Sequence, residues 1–102
     1  MKLRGEIISI TNEEGSADAV VPVIVEVLVS RRNTNFSIRM SYIEEDAEKI
    51  RATYARGDVV EVHGDEFTLK IGTTKDSLGR LVNDLTCHGT GISLLKKAPK
   101  DN

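Results

Sequence analysis

The sequence has no tryptophan, and its four aromatic residues (Phe36, Tyr42, Tyr54 and Phe67) are too few to fill a core. The interior must therefore rest on valine, isoleucine and leucine. A single cysteine, Cys87, excludes an intrachain disulfide and makes a reducing cytoplasm the simplest home. Long apolar runs are missing as well: the longest, residues 19–25, falls far short of a bilayer span. Lys2, Leu3 and Arg4 lead straight into a strand pattern. No signal peptide is expected, and the chain should be cytoplasmic with no membrane partner. There is no excess of positive charge either. The chain carries 16 acids against 14 bases, a net charge of −2. Phosphate neutralisation supplies most non-specific nucleic-acid affinity, so charge alone argues against such a partner unless a basic surface is gathered locally.

Signatures of chemistry are equally scarce. No glycine-rich phosphate loop and no nucleophile elbow occurs. His63, Cys87 and His88 fall in no C-x-x-C or H-x₃-H spacing, and strand alternation sets Cys87 and His88 on opposite faces. The expectation is a protein that is not an enzyme and that uses no metal or cofactor.

What is present is one domain's worth of β-prone sequence. The chain has 102 residues, 39% apolar and 29% charged, enough for a single modest core. Residues 3–11 are β-prone through Ile7, Ile8 and Ile10, and residues 12–18 form a polar, acidic loop around Gly15. Residues 19–30 (AVVPVIVEVLVS) give the strongest strand signal. Their odd positions form an unbroken valine face. The other face is mostly apolar too, which suits a strand whose outer side is covered by a second subunit. After the turn at residues 31–34, Phe36, Ile38, Met40 and Tyr42 alternate with Asn35, Ser37, Arg39 and Ser41. Residues 44–56 predict a helix, acidic in its first turn, with Ile43, Ala47, Ile50 and Tyr54 on one face and Gly57 as its stop. Residues 58–63 and 66–71 predict two short strands separated by a turn at residues 63–65. Residues 72–79 predict a loop, and residues 81–95 closing β structure.

Five or six strands with one helix between the third and fourth suggest an all-β, five-stranded Greek-key barrel of the OB-fold type. From about residue 35 to 95 the chain resembles the bacterial and phage single-stranded DNA-binding protein family. The likeness is carried by the strand from Phe36 to Tyr42 with Arg39 at its centre, and by a helix leading into Tyr54-Ala55-Arg56-Gly57. It continues through the run Gly57-Asp58-Val59-Val60-Glu61-Val62-His63-Gly64, the hairpin tip Asp76-Ser77-Leu78-Gly79-Arg80 and the closing Gly91-Ile92-Ser93-Leu94-Leu95. The chain departs from the family in having no base-stacking tryptophan and no acidic tail ending in phenylalanine. This is the pattern of a divergent member, such as a phage or plasmid protein.

The resemblance implies residues 1–95 as the nucleic-acid-binding domain and residues 96–102 as a short, frayed polar tail. It further implies sequence-nonspecific binding of single-stranded DNA in replication, recombination or repair, a homo-oligomer (dimer or tetramer), and replication or repair proteins as further partners. The alternative is an OB-fold protein–protein interaction module, or a primosome-type accessory protein, with weak or no DNA binding. Binding single strands takes cations for the backbone and rings for the bases. Arg31, Arg32, Arg39, Lys70, Lys75 and Arg80 occupy the elements that line one groove in this fold. Phe36 and Phe67 are the candidate platforms. Phe36 alternates with core residues and suits packing better than stacking, whereas Phe67 suits either.

Overall fold

Alternation along the valine-rich segment sends Val23, Val25, Val27 and Val29 fully inward, and the next strand sends Ile38, Met40 and Tyr42 to meet them. The computed structural model describes residues 1–12 and 22–99. Its elements are β1 (Lys2–Asn12), β2 (Val23–Arg31), β3 (Thr34–Tyr42), α1 (Glu44–Thr53), β4 (Val59–Lys75) and β5 (Leu81–Lys96). The strands close into a barrel in the order β1-β2-β3-β5-β4. Every pairing is antiparallel except that of β3 with β5, which is parallel. This is the five-stranded OB barrel expected, with its helix between β3 and β4. The acidic loop of residues 12–18 beyond Asn12, and residues 19–21 of the expected second strand, lie outside the described residues.

β1 serves two neighbours. Residues 2–6 pair with β4 and residues 6–12 with β2, with a register irregularity between Ile7 and Ser9. Ile7, Val60, Val62, Ala47, Ile50 and Cys87 complete the interior. Each aliphatic side chain fully buried there contributes about 1.5–3 kcal/mol.

Local expectations differ from the structure in three regions. The helix ends at Thr53 rather than residue 56, because the Asp58 carboxylate captures the chain just beyond it. The Ala55 N–H donates to Asp58 Oδ2 at 2.9 Å, the Asp58 N–H donates to the Ala55 carbonyl at 3.2 Å, and Gly57 takes φ 95°. Ile43, expected on the apolar face, precedes the helix and is exposed. Second, the turn expected at residues 63–65 does not end the strand, and β4 continues from Val59 to Lys75. The Gly64 N–H donates to the Met1 carbonyl at 2.8 Å and the Met1 amine donates back at 3.1 Å, so β1 holds β4 in the sheet through this point. The loop expected at residues 72–79 shrinks to a turn at 76–79, closed by the Gly79 N–H on the Asp76 carbonyl at 3.0 Å. Third, the expected fraying does not begin at Lys96. Lys97 Nζ bonds the Thr53 carbonyl and Asp58 Oδ2, both at 3.0 Å, and the Ala98 N–H donates to Asp58 Oδ1 at 2.8 Å. Residues 100–102 lie outside the described residues.

Candidate nucleic-acid interface

The outward residues of four neighbouring strands form one continuous face. Glu26 of β2 is in register with Arg39 of β3, Arg39 with Thr86 of β5, and Thr86 with Lys70 of β4. Alternation keeps all four on the outer side. Above this row lies an open depression of about 360 Å³, with Ile24, Ser41, Thr68 and His88 among its walls. Below it a second depression of about 200 Å³ is lined by Glu26, Ser37, Arg39, Thr74, Asn83 and Asp84 among others.

At the rim of the upper depression the register between β4 and β5 slips. Asp65 pairs with His88, yet Lys70 pairs with Thr86, so β4 accommodates extra residues in a bulge. The bulge is held by hydrogen bonds. The Phe67 N–H donates to Asp65 Oδ1 at 3.1 Å, the Thr68 hydroxyl donates to the Asp65 carbonyl at 2.6 Å, and the His88 N–H donates to the Thr68 hydroxyl at 2.9 Å. Asp65 thus forms an Asx turn that displays Phe67 with 94% of its surface in solvent. A ring so exposed is not a core residue. Phe36, by contrast, is half-buried and packs against the core.

The expected cations do not all converge. Arg39 and Lys70 meet on the outer face, both lining the upper depression. Arg39 is ion-paired with Asp84. Lys70 has no ion-pair partner among the described residues. Arg31 shares the parity of Val29, and Lys75 that of Ile71 and Thr73. Alternation therefore sets both on the opposite face from Arg39 and Lys70. Arg32 occupies the two-residue β2–β3 turn at φ 51°. Arg80 is drawn back onto Asp76 at 2.9 Å. Because β3 and β5 run parallel, the β2–β3 turn bearing Arg31 and Arg32 and the β4–β5 turn bearing Lys75 and Arg80 project from the same end of the sheet. The six cations thus form a pair in the groove and two pairs at hairpin tips beyond it.

Sequence reasoning missed four residues on this face. His88 and Thr68 line the upper depression, and Glu26 and Asp84 the lower. Strand parity alone could have placed Glu26, since its outward position was legible. The Arg39–Asp84 pair spans 45 residues and depends on the parallel β3–β5 closure. Asp58 was missed as well, and its role is structural. Burial alone would raise its carboxyl, but the Ala98 and Ala55 N–H groups and Lys97 outweigh that and hold it below the usual carboxylate range. Hydrogen bonds from Arg4 and His63 likewise lower the Glu61 carboxyl, on the row where β1 meets β4. Among the described residues no cluster of His, Cys, Asp or Glu could hold a metal ion, and no helix is long and apolar enough to cross a membrane.

No protein-family model matches the chain, and no curated protein matches it in sequence. Solved structures do match. The crystal structure of the mitochondrial single-stranded DNA-binding protein Rim1 from S. cerevisiae aligns with a TM-score of 0.67 at 19% identity, covering 96% of this chain and 95% of that one. The small single-stranded DNA-binding protein from Streptomyces coelicolor aligns with a TM-score of 0.65 at 15% identity, covering 92% and 91%. A selenomethionine-labelled Rim1 crystal gives 0.60 at 18% identity, covering 96% and 95%. Identities this low establish a shared fold, and the sharing extends over nearly the whole of both chains.

Proposed function

We propose that this protein is a non-enzymatic OB-fold module that binds single-stranded DNA without a fixed sequence, along the outer face of β2, β3, β5 and β4. The observation that carries the reading is Phe67, held in solvent by a hydrogen-bonded bulge beside a groove lined by Lys70 and Arg39. An exposed aromatic costs solubility and contributes nothing to the core, whereas on a single-strand path it offers a stacking platform. Lys70 takes a phosphate directly, and Arg39, paired with Asp84, contacts the strand beside it. Arg31, Arg32, Lys75 and Arg80 extend the contact to phosphates at the hairpin tips. The structural neighbours are named for single-stranded DNA binding, which supports the same class of ligand here.

On this reading the protein acts in the cytoplasm in DNA replication, recombination or repair, as a homodimer or homotetramer. Exposed Leu94 and Leu95 offer apolar surface for self-association, and joined grooves raise avidity for a long strand. Anisotropy on labelled oligo-dT at about 50 mM salt should show micromolar or tighter binding that weakens steeply as salt rises. No binding under those conditions refutes the proposal.

A second reading, an OB-fold module for a protein partner, draws on one observation. Arg39 and Arg80 are each neutralised within the chain, while Ile71, Leu78 and Leu81 of the β4–β5 hairpin are exposed. A protein partner retained after nuclease treatment, with no affinity for oligo-dT, would favour it.

A further inference from the structure

The lower part of the groove is acidic where a wall for phosphates would be basic. Glu26 flanks Arg39 on the β2 side and Asp84 pairs with it on the β5 side. The upper depression contains Lys70 and His88 and no carboxylate, and Arg39 belongs to both. The two depressions therefore differ in charge: the walls of the upper hold Arg39 and Lys70 without a carboxylate, and those of the lower hold Glu26 and Asp84 around the shared Arg39.

A phosphate gains little beside two carboxylates that a single guanidinium only partly offsets. A base edge is a better occupant. Carboxylates accept hydrogen bonds and donate none, so they sort bases by the donors those bases offer. Asp84 engages Arg39 through one oxygen, and its other oxygen is unused among the described residues, as is the whole Glu26 carboxylate. An acceptor (Asp84) beside a donor (Arg39) complements the edge of cytosine, whose N4 amine donates and whose neighbouring N3 accepts. Thymine places its O4 carbonyl where cytosine has the amine, setting oxygen against carboxylate.

We propose that the lower depression is a base-selective subsite favouring nucleobases with an exocyclic amine, cytosine over thymine above all, with Asp84 and Glu26 as the selecting acceptors. The inference rests on the single-strand reading above and gives that site a compositional preference, not a sequence. Its occupant is a base edge, while the strand's phosphates run along Lys70 and the hairpin tips.

The test is competition anisotropy. A labelled mixed-sequence strand of about 16 nucleotides, the upper site size of one such barrel, is displaced by unlabelled oligo-dC or oligo-dT at mildly alkaline pH, where oligo-dC stays unpaired. Oligo-dC should compete roughly five- to tenfold better with the natural sequence. Asp84→Asn, whose amide can donate to the thymine carbonyl, should bring the ratio to one or invert it, and Glu26→Gln should narrow it. Since Asp84→Asn also frees Arg39, absolute affinity can rise for both strands, so the ratio is the quantity that decides. Oligo-dT equal to or better than oligo-dC with the natural sequence, or a ratio unmoved by both variants, overturns the inference. Failure of both strands to bind at low salt instead removes the single-strand reading, and this inference with it.

Discussion

Replacing Phe67 by alanine should separate binding from folding, because the ring gives so little to the barrel. An aromatic of about 200 Å² with 94% of its surface exposed forfeits only about 0.3 kcal/mol of burial when truncated, at about 25 cal/mol per Å². The hydrogen bonds that shape the bulge involve the Phe67 backbone and the Asp65 and Thr68 side chains, all of which survive the change. Thermal melting should therefore move by no more than about 2 °C. Loss of one stacked base costs about 1–3 kcal/mol, so affinity for oligo-dT should fall about five- to 150-fold. Phe67→Trp, which enlarges the platform, should keep or tighten binding. The assay is anisotropy at fixed salt beside a circular-dichroism melt. Unchanged affinity in Phe67→Ala would show that the ring stacks on nothing, and a large drop in melting temperature would show that it supports the fold.

Other outcomes follow from single contacts. A Cβ on Gly89 would lie 2.3 Å from the Tyr42 ring, whose hydroxyl is held by the Gly91 carbonyl at 2.8 Å, so Gly89→Ala should cost about 1–3 kcal/mol or more and lower the melting temperature accordingly. A wild-type melt would contradict that packing. Asp58→Asn should cost about 1.5–3 kcal/mol at neutral pH by weakening the bonds to Ala55, Ala98 and Lys97. Since the Asp58 carboxyl is held below its usual range, this stability is present above about pH 4 and lost as pH falls through the folded value. Denaturant titrations at neutral and acid pH should show the difference between wild type and variant shrinking on acidification, and a constant difference would refute the linkage. Arg32→Gly relieves a left-handed φ at a cost of about 0.5–1 kcal/mol in chain entropy against about 1–2 kcal/mol of strain, so it should raise stability slightly in the same titration.

The parts of the fold legible in the sequence were those governed by period alone. Alternation correctly turned Val23 to Val29 and Ile38 to Tyr42 inward, and the i, i+3 spacing of Ala47 and Ile50 set the helix face. What period cannot reveal is a contact made from far along the chain. Met1 holding Gly64 in the sheet, Asp58 ending the helix path and anchoring Ala98, and Asp84 neutralising Arg39 are all contacts of this kind or effects of them. The site was half legible for the same reason. Arg39 and Lys70 share a face as their elements implied, but parity places Arg31 and Lys75 on the other side. Phe67 could not be assigned between core and surface because its exposure depends on a bulge set by Asp65. In the sequence His88 stands out only as a metal ligand without partners, whereas its outward position beside Thr68 gives it a place in the groove.

Backbone amide shift mapping by NMR, with ¹⁵N-labelled protein titrated with oligo-dT at low salt, tests the central claim most directly. The account predicts the largest changes at Phe67, Thr68, Lys70, Thr86, His88 and Arg39, smaller ones at the two hairpin tips, and none on the exposed side of α1. Changes centred on α1 or on the Arg4–Glu61–His63 cluster, or no changes at all, would contradict it.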